Sequence, residues 1–184
     1  ETLRTMLAST RQPEPHVQPL DVNRLLRDLL QLTSPGMSPR KVHLSSNLMP
    51  DLPPVLADGN QLQQVFLNLI ANALDAMPDG GELRVETARE TCEEQWPDGR
   101  KQQRAMWAVV RIQDTGQGIP EEHLPKIFEP FFTTKEFGQG TGIGLAVCRQ
   151  IIHSHDGTIQ VVSQPGGGST FTVRLPLYEE GSEA

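Results

Sequence analysis

Asn68, Asn72 and Asp75 recur at intervals of four and three residues, which at about 100° per residue puts them on one stripe beside an apolar helical face. Asparagine is a poor interior helix former. Two on one stripe suggest amide oxygens offered to a hard cation or to a partner's hydrogen bonds, although caps or buried hydrogen bonds use the same residues. A second stretch, Asp114-Thr-Gly-Gln-Gly-Ile-Pro120, follows a Val/Ile-rich strand pattern. An ionised carboxylate at a strand end can accept charge-assisted bonds from an exocyclic amine such as that of adenine. Gly116 and Gly118 would let a flat ligand approach the backbone, and a tight turn with a capping Asp fits the same residues.

The third stretch, Gly138-Gln-Gly-Thr-Gly-Ile-Gly-Leu145, alternates glycine up to the start of a helical pattern. Free amides at a helix N-terminus suit phosphates, and a flexible loop without a ligand is the alternative. A dinucleotide fingerprint fails because Ile143 stands where its third glycine belongs, and a P-loop fails because no Gly-Lys pair occurs. The fourth, Phe128-Glu-Pro-Phe-Phe-Thr-Thr-Lys135, sets three of the six phenylalanines and a cation just ahead of those glycines. The aromatics read as core; Lys135 either swings toward a terminal phosphate or is simply solvated.

These stretches need a scaffold. Asp21 caps a helix from Val22 to Leu32, stopped by Ser34-Pro35-Gly36, and Asp58 caps a long helix burying Leu62, Val65, Phe66, Leu69, Ile70 and Ala73. A further helix is expected over 143–155. Strands are expected over 42–48, 82–87, 107–113, 158–163 and 169–175, with a mobile loop from about Arg89 to Arg104 around Pro97-Asp98-Gly99. Short turns between strands imply a mixed, mostly antiparallel sheet. With helices on one face this is an α+β, two-layer sandwich. Residues 1–20 read as the end of another element and its linker, 21–178 as one domain and 179–184 as a frayed acidic tail.

The 184 residues are 36% hydrophobic and carry a net charge of -7, which excludes disordered and collagen-like readings and a broad basic face for nucleic acid or anionic lipid. Cys92 and Cys148 are too few for a disulfide framework or a structural zinc site. With no signal-peptide or membrane-span pattern, a cytoplasmic chain is expected.

In order and spacing, the four stretches resemble the N, G1, F and G2 boxes of the sensor histidine kinase catalytic domain, in the ATPase superfamily shared with gyrase and the ninety-kilodalton heat-shock chaperone. Gly167-Gly-Ser-Thr-Phe171 resembles the last glycine box, and Asn72-Ala-Leu-Asp-Ala-Met-Pro-Asp-Gly-Gly-Glu-Leu83 is most similar to the nitrogen-regulation branch. The resemblance implies the Bergerat ATP-binding fold, with ATP and Mg²⁺ as ligands. Asn72 would hold Mg²⁺, Asn68 would support it, and Asp114 would bond the adenine amino group. Gly116, Gly118 and Ile119 would line the base pocket with Thr170 nearby. Gly140, Gly142, Gly144 and Leu145 would form the lid, and Lys135 would touch the γ-phosphate. Other branches carry a basic residue where Asp75 stands.

The same resemblance implies phosphoryl transfer to a histidine on a dimerisation hairpin outside this chain, then to a response-regulator receiver domain, in a cytoplasmic segment of a free or membrane-bound sensor. His16, His43, His123, His153 and His155 lack the phosphoacceptor context and read as surface or core residues. Two alternatives follow from the same residues. One is a gyrase-like hydrolysing clamp, disfavoured because Asn68 stands where a general-base glutamate is needed. The other is a non-catalytic nucleotide sensor docking through the Val22–Leu32 helix.

Overall fold

Capping residues fix where the helices begin. In the computed structural model, which describes residues 16–92, 105–134 and 141–178, Asp21 Oδ1 accepts from Arg24 N at 2.9 Å and opens helix α1, Val22–Thr33. Val22, Leu26, Leu29 and Leu30 are buried along it, and a 3₁₀ turn over Ser34–Gly36 ends it. Asp58 Oδ1 accepts from Asn60 N and Gln61 N at 2.9 and 3.2 Å and opens α2, Gly59–Asp75. Its buried face is the expected one: Leu62, Val65, Phe66, Leu69, Ile70 and Ala73. Burial alone would raise the Asp58 pKa, but backbone N–H donors from His16, Gln61 and Asn60, with His155 nearby, outweigh it and lower the value.

The strands are β1 (Gln18–Leu20), β2 (Val42–Asn47), β3 (Val55–Ala57), β4 (Gly81–Cys92), β5 (Ala105–Asp114), β6 (Thr158–Gln164) and β7 (Gly168–Pro176), with helix α3 over Gly144–Ser154. Five of them form one sheet in the order β2-β4-β5-β7-β6. Only the β2–β4 pair in it is parallel. Alternate residues Leu83 and Val85, Ala108, Val110 and Ile112, and Phe171, Val173 and Leu175 join the buried faces of all three helices in one core. The chain is therefore the expected two-layer α/β sandwich with a mixed, mostly antiparallel sheet.

On the opposite face Glu90 pairs with Arg111 and, at 3.5 Å, with Arg174, which also donates to Gln160 at 2.9 Å. Strand β4 consequently runs to Cys92, five residues past the expected Thr87. Charged Arg89 and Glu90 look like loop in sequence, but an antiparallel strand with one wet face accommodates them. Two short strands were unforeseen: β1 pairs antiparallel with β3, Gln18 opposite Ala57 and Leu20 opposite Val55, so the stretch read as linker reaches the domain as a strand.

A buried polar trio was equally unforeseen. Asn23 Nδ2 donates to Met49 O, Thr87 Oγ1 donates to Asn23 Oδ1, and Met49 N donates to Thr87 Oγ1, each at 2.8 Å, pinning α1 to the sheet. Among the described residues no helix is long and apolar enough to cross a membrane. The readings placed on residues 1–15, 93–104 and 179–184 lie outside the described residues.

Candidate active site

One end of the site is built from strand ends. Asp114 closes β5 and is only 3% exposed. Its Oδ1 accepts from Gly116 N at 2.9 Å. Burial pushes its pKa above the ordinary carboxylate value, the Gly116 and Ser169 amides pulling the other way. Cross-strand register sets Asp114 beside Ser169, and Ser169 beside Ser163. Ser163 Oγ lies 3.0 Å from Ser169 Oγ and accepts from Ile119 N at 2.8 Å. A row of short polar side chains thus ends three neighbouring strands on the helix-covered side, with Ile119 packed against the core.

The loop after Asp114 is stitched down on both sides. Gln117 N donates to Ala76 O at 3.0 Å, at the end of α2, and Gly166 N donates to Gln117 O at 2.7 Å. Gly118 has φ +70, and a Cβ there would lie 1.9 Å from Gln164 O, so only glycine fits. This loop and the turn between β6 and β7 form one hydrogen-bonded unit.

Thr170, expected near the base, sits one residue further along β7, opposite Gln113 and Val162. Successive side chains of a strand face opposite sides. Ser169, not Thr170, is the residue placed at Asp114. The sequence carried the signal, because Phe171, Val173 and Leu175 set the core parity of the strand and Ser169 shares it.

The other end is built from two helices. Helix α3 starts at Gly144 without a side-chain hydrogen bond at its N-cap, Ile143. Thr141 Oγ1 accepts from Ile143 N at 3.4 Å, and the first-turn amides remain the kind of group that receives anions. Gly142 has φ +65, and its carbonyl accepts from Phe131 N at 2.9 Å; a Cβ there would come within 2.5 Å of the Phe131 backbone. Asn68 of α2 reaches across, Nδ2 donating to Gly144 O at 3.4 Å. Asn72 lies one turn further along α2, partly exposed, and Leu145 packs partly into the core.

Asp75 pairs with Arg40 at 3.3 Å, so the carboxylate at this position carries its own cation. The structure therefore brings Asn68, Gly142, Gly144 and Leu145 together at one end and Asp114, Gly116, Gly118 and Ile119 at the other. Asn72 lies between them on α2, whose last turn meets the Gly116 loop through Ala76. Lys135, Gly138 and Gly140 lie outside the described residues.

Among the histidines, His155 is buried, its Nε2 accepting from Asp58 N at 3.0 Å and its Nδ1 2.8 Å from Ile151 O. His123 stands edge-on to Phe132. No cluster of three or more His, Cys, Asp or Glu suited to a metal occurs among the described residues. A groove of about 620 Å³ runs along the far side of α3, between Phe128, Phe131, Ile143, Val147 and His153; it does not include Asp114. Phe131 there is 77% exposed and has φ 68, a conformation a bulky residue seldom adopts.

Strand ends that carry Asp114, Ser169 and Ser163, beside an asparagine-bearing helix bonded to the first residue of α3, go with a nucleotide-binding ATPase domain. The chain belongs to the family described as Histidine kinase-, DNA gyrase B-, and HSP90-like ATPase, whose pattern matches residues 57–179.

Within it, the chain is of the sensor histidine kinase catalytic type. It is 40% identical to Sensor kinase CckA of Brucella abortus (strain 2308), over 97% of this chain and 19% of that protein. It is 35% identical to Signal transduction histidine-protein kinase AtoS of Escherichia coli (strain K12), over all of this chain and 28% of that one. The solved catalytic domain of histidine kinase ThkA, in a nucleotide-free form, superposes with TM-score 0.71 at 29% identity, covering 88% of this chain and 96% of that one. The chain thus spans a fifth to under a third of the curated relatives named here.

Proposed function

We propose that the chain holds Mg·ATP between Asp114 and the N-terminus of α3 and presents the γ-phosphate to a histidine on a helical hairpin of the same protein. The observation that supports this reading is the junction of Asn68 with Gly144, which ties α2 at Asn68 to the first residue of α3. Asp114, with Ser169 beside it, accepts from the adenine amino group, while Gly116, Gly118 and Ile119 flank the base. The α3 amides after Gly142 and Gly144 receive phosphate oxygens, with Leu145 beside them; the lid role expected of Gly140 and the γ-phosphate contact expected of Lys135 belong to the same proposal.

Asn72 offers a neutral, hard amide oxygen on a partly exposed surface, which fits Mg²⁺, an ion commonly held by one or two protein oxygens together with substrate phosphates and water. When bound, Mg²⁺ neutralises triphosphate charge. The chain's own residues do the positioning: a histidine nitrogen attacks the γ-phosphorus, the bond to the bridging β-oxygen breaks, and ADP leaves. The exposed Phe131 and Ile143 beside the phosphate end are the surface offered to the hairpin. The phosphoryl group then passes to a response-regulator receiver domain. The setting is cytoplasmic.

The two alternatives fare worse. Asn68, an amide tied to α3, takes no proton from water, so the chain alone hydrolyses ATP slowly. The apolar face of α1 is spent inside the core, leaving mainly Leu32, 67% exposed, for any docking role. The test is to incubate the full-length protein with γ-labelled ATP. Acid-labile, base-stable phosphate on a histidine is expected, abolished by Asn72→Ala. Steady phosphate release by the isolated chain without histidine labelling contradicts the reading.

A further inference from the structure

We infer that Cys148 is a positioning residue for the phosphate end: its thiol, with the Gly144 carbonyl, holds the Asn68 amide with nitrogen toward α3, leaving its oxygen free for the cleft. This rests on the proposed nucleotide site and adds a residue to it.

The argument is one of donors and acceptors. Asn68 Nδ2 is 3.4 Å from Gly144 O and 3.7 Å from Cys148 Sγ. A carbonyl can only accept, so the amide face turned to Gly144 must be its NH₂. The sulfur completes the arrangement because its own proton is committed elsewhere, to Val65 O at 3.7 Å. The chain of bonds runs from Asn68 N–H to Sγ and from S–H to the Val65 carbonyl of α2.

Cys148 is fully buried, 0% exposed. Burial pushes its thiol pKa up to about 11, so near neutral pH the thiol keeps the proton it gives to Val65. An apolar side chain would undo that order. With the sulfur acceptor gone, one bond fewer resists rotation of the amide, and a rotated amide would turn NH₂ toward a cation. The Cys148 side chain thus acts on metal and phosphate through Asn68, without touching either.

The test compares Cys148→Val, Cys148→Ala and Cys148→Ser in this chain, with Asn68→Ala as reference. ADP affinity is measured by calorimetry with and without Mg²⁺, alongside thermal unfolding. Val and Ala should lower the Mg²⁺-dependent gain in affinity about 2- to 3-fold, the order of one weak hydrogen bond. The Mg²⁺-free affinity should hold, and Ser, which keeps donor and acceptor, should restore the gain. A merely structural role would move unfolding and leave the Mg²⁺ gain alone. If Asn68→Ala loses the gain while folded Val and Ala variants keep it, or if folded Ser loses it, the role of Cys148 is overturned. If Asn68→Ala and Asn72→Ala both keep it, the proposed site itself falls.

Discussion

The two ends of the site are held in different ways. At the Asp114 end, backbone bonds tie the loop to α2 and to the β6–β7 turn, Ser163 adds a side-chain bond to Ile119, and the carboxylate is buried against Gly116. At the α3 end most of the described ties are longer: Phe131 N to Gly142 O at 2.9 Å, Ile143 N to Thr141 Oγ1 at 3.4 Å, and the Asn68 amide to Gly144 O at 3.4 Å and to Cys148 Sγ at 3.7 Å. The Asp114 end, proposed for the base, is preorganised by the sheet. The α3 end, proposed for the phosphates, rests on a helix N-terminus and a glycine whose conformation only glycine tolerates, so it is the end a ligand or partner can still adjust.

That contrast can be broken at its stiff end first. Asp114→Asn should weaken adenine nucleotides about 10- to 150-fold, the loss of a charge-assisted bond of roughly 1.5 to 3 kcal/mol, in calorimetric titrations. The same variant should raise the stability of the empty domain at neutral pH. The sign follows from burial: the folded pKa is raised above 3.8. The contribution of Asp114 to stability is therefore full below about pH 3.9, the unfolded value, and is lost as pH rises through the folded pKa. Binding runs the other way, needing the carboxylate, and should fade on acidification sooner than an ordinary aspartate would allow.

Gly142→Ala strikes the other end. A left-handed alanine costs about 1 to 2 kcal/mol, so ATP affinity should fall about 5- to 30-fold while adenosine binding stays unchanged. An equal loss for adenosine would mean that the two ends are a single rigid unit. A smaller effect is expected of Asn72→Ala, which should remove about a 5- to 10-fold gain in affinity conferred by Mg²⁺ and leave Mg²⁺-free binding alone. Survival of the full Mg²⁺ gain would place the ion elsewhere.

Much of this was legible in the sequence because local signals agreed. Asp21 and Asp58 marked helix starts, the α2 face repeated at helical spacing, and Gly118 and Gly142 stood where the chain takes positive φ. What escaped was set by pairing across the sheet. Nothing near Gln18 or Val55 announces that three-residue strands will meet. The Glu90–Arg111–Arg174 network requires knowing that the charges share one face. Ser169 was overlooked for Thr170 because a glycine-rich box hides strand parity until Phe171 fixes it. Asn23 and Cys148 look ordinary in sequence, their roles arising from partners 26 to 83 residues away.

The most direct test of the central claim is a crystal structure of this chain with Mg²⁺ and a non-hydrolysable ATP analogue. The account predicts the adenine amino group within hydrogen-bond distance of Asp114, Ser169 beside it, and Asn72 Oδ1 about 2.1 Å from the metal. An analogue lodged in the Phe131 groove, away from both Asp114 and Asn72, would contradict it.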